Sequence, residues 1–117
     1  MTLLNKILQY TGNLMASNSL TINNSSFKYP ITLYKKCSIV MMTFTDMQGL
    51  TNGEHTLFTL PTGWRPVQDV YYLISSPLST ADDARMFITT NGVVSIYYYG
   101  SNTGALNFAE TITWIAS

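Results

Sequence analysis

The sequence has 117 residues, room for one domain and too little for two that would each bury a core. Apolar residues make up 46% and charged residues only 10%, against a usual charged share of about a quarter, and the six basic and six acidic residues cancel. Disorder is thereby excluded, since the apolar content is too high, and nucleic acid is not an expected partner, because the one adjacent basic pair is Lys35-Lys36. Ser, Thr and Asn stand where charges usually do. A neutral chain with this much apolar surface has no charge repulsion opposing association, so an obligate oligomer is expected.

The chain opens on Leu3-Leu4-Asn5-Lys6-Ile7-Leu8, and Leu4, Ile7, Thr11 and Leu14 fall at a/d heptad spacing. Two heptads are too few for a coiled coil alone, and Gly12-Asn13 weakens a helix, so residues 1–29 read as a short helix, an arm or the stub of a trimeric stalk. No basic region followed by a clean apolar core marks a secretory signal, which fits synthesis and folding in a cytoplasm. No apolar run approaches the roughly 20 residues of a membrane helix, so membrane insertion is not expected. Residues 18–26 are polar, with Asn23-Asn24-Ser25-Ser26 as a turn cluster.

From there the pattern is strand after strand. A short strand is predicted over 32–36. Residues 37–45 form a second, with Ile39, Met41 and Thr43 on one face and Val40, Met42 and Phe44 on the other. A strand apolar on both sides is buried twice, once in a sandwich core and once against a neighbour. Cys37, the single cysteine, excludes an intrachain disulfide, and its place beside this run predicts a buried thiol. Asn52-Gly53 signals a turn before a strand over 55–60 that Pro61 ends. Residues 70–74, again apolar on both faces, are the next strand. A polar loop follows over 75–83. Strands over 85–90 and 93–99 are joined by Asn91-Gly92, the strongest hairpin signal, with φ > 0 expected at both central positions. After a loop over 100–104, the last strand spans 108–115. The fold class is therefore all-β, an antiparallel sandwich or jelly roll over 30–117.

The segment Leu60-Pro61-Thr62-Gly63-Trp64-Arg65-Pro66 resembles the Leu-Pro-x-Gly-aromatic-Arg-Pro element of tailed-bacteriophage tail-fibre and baseplate C-terminal domains. The order around it is similar too: a two-faced strand before it, then 70–74, the Asn91-Gly92 hairpin and a final strand ending near the C-terminus. The resemblance covers roughly 30–117. It implies a homotrimeric β-sandwich head, carried on a stalk at a virion tail tip or baseplate, made in the host cytoplasm and bound to other tail proteins. It also implies that such a head binds a host cell-surface saccharide or protein. Within the element the residue chemistry is mainly structural. Pro61 stops a strand, Gly63 takes φ > 0, Trp64 plugs an end of the core or a subunit seam, Arg65 reaches carbonyls or a carboxylate, and Pro66 fixes the exit.

The chemistry-bearing residues favour binding over catalysis. His55 is the only histidine, and paired cysteines, a phosphate-cradling Gly loop and a nucleophile elbow are missing. Asp82-Asp83 are adjacent in a loop, which does not set two carboxylates across a sugar. No enzyme, metal or cofactor is expected. Eight Tyr, two Trp and many amides and hydroxyls suit saccharides, whose flat C–H faces stack on rings. The candidate ligand contacts are His55, Asp82, Arg85, Tyr99 and Asn102. Each has a plainer role: a solvated His55, an Arg85–Asp82 or Asp83 pair, and tyrosines 97–99 packed in a strand with at most two reaching the surface. Trp114 shares a face with Phe108 and Ile112, as does Glu110, which if buried should meet a basic partner such as Arg65 or Arg85. The alternative function is a trimerisation or baseplate-assembly module that binds only protein.

Overall fold

A computed structural model describes residues 3, 18–27, 29–47, 51–74, 83–99 and 106–116. Eight strands form two antiparallel four-stranded sheets: β1 (Asn18–Ile22), β2 (Ile31–Lys36), β3 (Ile39–Met47), β4 (Gly53–Thr59), β5 (Val70–Ile74), β6 (Asp83–Ile88), β7 (Val93–Tyr99) and β8 (Leu106–Ile115). The first sheet runs β1-β2-β3-β8 and the second β4-β7-β6-β5. The first is a meander closed by the returning β8. The second is a Greek key, in which the long connection from β4 to β5 is the segment carrying the Leu-Pro-Thr-Gly-Trp-Arg-Pro element. The expected sandwich is present in its two sheets. The heptad positions Leu4, Ile7, Thr11 and Leu14 lie outside the described residues.

Alternation explains the core. On β3, Val40, Met42 and Phe44 are buried, while Ile39 and Met41 on the opposite face are exposed. On β7, Val94, Ile96 and Tyr98 face inward. Leu33, Ile112 and Trp114 from the first sheet meet Met86, Ile88 and Ile96 from the second in one continuous cluster. Each such side chain contributes about 1.5–3 kcal/mol on burial. The two-faced strands thus place one face in the core and leave the other uncovered.

Three local readings need correction. Residues 18–22, read as part of a polar arm, form an edge strand paired with β2 from Asn18↔Lys35 to Ile22↔Ile31, with Leu20 and Ile22 packed on the core. Phe27 beyond it is buried and meets Phe44 edge-on at 5.9 Å. Cys37 is exposed, because Cys37 and Ser38 (φ 50° and 65°) form the two-residue turn between β2 and β3. Their paired positive φ values are those of a type I′ turn. At Asn91-Gly92 only Gly92 has positive φ, 85°. Gly92 N–H bonds the Thr89 carbonyl at 2.8 Å and Thr89 N–H bonds Val93 at 3.1 Å, so the hairpin closes through a longer turn with one left-handed residue. Glu110 is half-buried and accepts a hydrogen bond from the Tyr72 hydroxyl at 2.7 Å, a link between the sheets.

The proline-glycine element locks one end of the sandwich. Leu60 is fully buried, and its N–H bonds the Gly92 carbonyl at 2.8 Å. Trp64 N–H closes a turn on the Pro61 carbonyl at 3.1 Å, and Gly63 has φ 92°. Arg65 Nε donates to the Leu60 carbonyl at 2.9 Å. Trp114 Nε1 donates to the Trp64 carbonyl at 2.9 Å, and Lys35 Nζ reaches the Gly63 carbonyl. Pro66 is buried in a bridge to Ala116. Arg65 therefore serves the Leu60 carbonyl, and Trp64 packs against the core.

Candidate functional site

The outer face of the second sheet carries a group of aromatic and charged side chains. Register alone assembles it. Tyr71 pairs with Phe87, Leu73 with Arg85, Arg85 with Tyr97, and Tyr97 with Glu54. Cross-strand neighbours on one face stand about 5 Å apart, so these residues are in mutual reach. Tyr71, Arg85, Phe87, Tyr97 and Tyr99 line an open cleft of about 300 Å³.

Within the cleft, Tyr71 and Phe87 pack edge to face with centroids 6.0 Å apart. Arg85 Nη1 donates to the Tyr71 hydroxyl at 3.1 Å, which fixes ring and guanidinium relative to each other. The Tyr97 hydroxyl is held above its ordinary pKa, first by desolvation and then by the negative charge and hydrogen bonding of Glu54. At neutral pH it is thus a protonated phenol, able to donate. Tyr71 and Tyr99 are 59% and 48% exposed, so ring faces and hydroxyls are available to a ligand. The surface offers flat apolar area, phenol groups and one guanidinium, the combination that stacks on and hydrogen-bonds to a polyhydroxylated ring.

Of the expected contacts, Arg85 and Tyr99 come together in this cleft. His55 does not join them. It sits half-buried on the opposite side of β4, paired with Ile96, and donates its Nε2–H to the Thr51 carbonyl at 2.7 Å. Asp82 and Asn102 lie outside the described residues. Tyr97 and Tyr99 reach the outer face while Tyr98 is fully buried, as strand alternation requires. Tyr71, Phe87, Tyr97 and Glu54 were not among the expected contacts. The available signal was that each of the three neighbouring strands carries at least one aromatic residue on its outward face, Tyr71, Phe87, and Tyr97 with Tyr99.

A second surface has another character. On the outer face of the first sheet, Tyr34, Lys36, Cys37, Ile39 and Met41 line an apolar cleft of about 470 Å³. Beside it one row of threonines crosses all four strands, Thr21, Thr32, Thr43 and Thr111. Thr43 and Thr111 are linked through their hydroxyls at 3.3 Å. Among the described residues no three His, Cys, Asp or Glu side chains gather into a metal-binding group. No protein-family model matches the chain, and no curated protein matches it.

Proposed function

We propose that the chain is the receptor-binding head of a phage or prophage-derived tail tip, a homotrimer that recognises a host cell-surface saccharide through the outer face of its second sheet. The observation that carries the saccharide reading is the cleft in which Tyr71, Phe87, Tyr97 and Tyr99 surround Arg85. Rings of this kind present contact area at low entropic cost, and the phenols and guanidinium supply directional bonds to hydroxyls. The phage reading rests on the Leu60–Pro66 element, and its tight turn between β4 and β5 supports it. Each site is shallow and binds weakly; three copies per trimer, and several trimers per particle, raise the avidity. Host wall polysaccharide and other tail or baseplate proteins are the partners, with the virion as the location.

Titration of host wall polysaccharide and its fragments, followed by calorimetry or by NMR of the tyrosine rings, tests this. Tyr97→Ala and Arg85→Ala are expected to abolish binding at millimolar ligand while the fold persists. Binding unaffected by both would refute the site. A head that binds no polysaccharide yet docks onto tail proteins is the assembly-module reading, which the exposed Ile39, Met41 and Ile115 favour.

A further inference from the structure

We infer that the outer face of the first sheet, around Tyr34, Ile39, Met41 and Ile115, is where copies of this chain meet, leaving the second sheet's aromatic face to the ligand. The inference deepens the trimeric reading above and rests on it.

Three observations point to a second copy as the occupant. The first is chemistry. Tyr34 and Met41 are paired across β2 and β3, and Ile39 pairs with Ile115 across β3 and β8, so the four make one block. They are 45%, 41%, 49% and 62% exposed. Lys36 is the one charged residue in the adjoining rows, and the rest are Ser and Thr. Tyr and Met at the centre, with Lys36 as the one charge beside them, is the composition of an interface core with a polar rim.

The second is area. At these exposures the four residues leave about 400 Å² of their surface uncovered, half of the roughly 800 Å² per partner in a standard interface. Flanking Thr43, Thr113 and Val67, whose N–H bonds the Ile115 carbonyl, extend it.

The third is position. Asn18 begins β1 opposite Lys35, so the preceding sequence joins the sheet at the end where Lys36, Ile39 and Ile115 lie. That sequence carries the a/d spacing of Leu4, Ile7, Thr11 and Leu14, expected to be a short helix, an arm or the stub of a trimeric stalk. The second sheet's exposed Leu73 lies on the other side of the sandwich, in a row with Arg85 and Glu54.

The test is the solution mass of the full chain by light scattering, with circular dichroism to confirm the fold. Wild type is expected at three times the chain mass. Ile39→Lys and Met41→Lys, both at exposed positions, are expected to reduce the mass at least twofold at micromolar concentration with the strand signal intact. Leu73→Lys is expected to leave it unchanged. A wild-type oligomer that persists in both first-sheet variants, or dissociates in Leu73→Lys, overturns the assignment of the face alone. A monomeric wild type overturns the trimeric reading as well.

Discussion

Gly92→Ala tests whether the proline-glycine element and the β6–β7 hairpin act as one unit. Gly92 has φ 85°, and an added Cβ would stand 2.9 Å from Arg65 Cγ, from Arg65 Nε and from the Leu60 carbonyl oxygen. The left-handed conformation costs an L-residue about 1–2 kcal/mol. The Leu60 oxygen is backbone and cannot rotate away. Relief of that contact disturbs the Leu60 N–H bond to the Gly92 carbonyl and the Arg65 Nε bond to Leu60, each worth about 1 kcal/mol. The expected loss is about 3 kcal/mol. Gly63→Ala is the control: its φ is 92°, but the nearest atom to a Cβ is Lys35 Nζ at an ordinary 3.7 Å, so only the conformational cost of about 1–2 kcal/mol applies. Urea unfolding at matched slopes should separate the two by about 0.5–1 M in midpoint, given a slope of about 2 kcal/mol per molar. Equal losses for the two glycines would refute the close approach of Arg65 and Leu60 to the hairpin.

Two further perturbations concern stability and protonation. The Tyr72 hydroxyl is raised above its ordinary pKa of 10.0, first by its hydrogen bond to Glu110, then by burial and the Glu110 charge. Its folded value lies above its unfolded one, so this contribution is complete below pH 10 and is lost as pH rises through the folded value. Absorbance titration near 295 nm should show Tyr72 and Tyr97 ionising later than ordinary tyrosines, and Glu110→Gln should return Tyr72 towards the ordinary range at a cost of about 1 kcal/mol in denaturant unfolding. Replacing Cys37-Ser38 by Asn-Gly, which suits two successive positive φ values, should raise stability by about 1 kcal/mol, read from the same unfolding curves.

The sequence revealed strands more readily than the relations between them. β5 and β7 have the bounds expected from their apolar runs, and Gly63 has the positive φ its turn demanded. β1 was hidden because an edge strand needs few core residues, and Leu20 and Ile22 sit among polar neighbours. The Cys37-Ser38 turn was hidden because neither residue type announces positive φ; the paired strands impose it. The same limit governed the candidate site. Arg85 and Tyr99 were visible as polar or aromatic residues at strand ends, but Tyr71 and Phe87 become site residues only once β5, β6 and β7 are adjacent and in register. Parity sets His55 apart from this cleft: one residue from Glu54, it faces the other way. Which parity points outward depends on the partner sheet, and local sequence does not carry that information.

The two uncovered faces lie on opposite sides of the sandwich, and under the proposed reading their effects on binding separate. Ile39→Lys alters the first sheet, a full sandwich thickness, about 10 Å between sheets, from the second. It should therefore leave the affinity for a short oligosaccharide unchanged. Affinity for long polysaccharide should behave otherwise, because a trimer engages neighbouring repeats at high effective concentration and a monomer does not; the loss is expected at about 100-fold. Tyr97→Ala should do the reverse, removing oligosaccharide binding without changing the solution mass. Surface-immobilised polysaccharide read against the soluble fragment distinguishes the two patterns. If Ile39→Lys weakens fragment and polymer equally, the first sheet contacts the sugar itself, and the division between an assembling face and a recognising face is wrong.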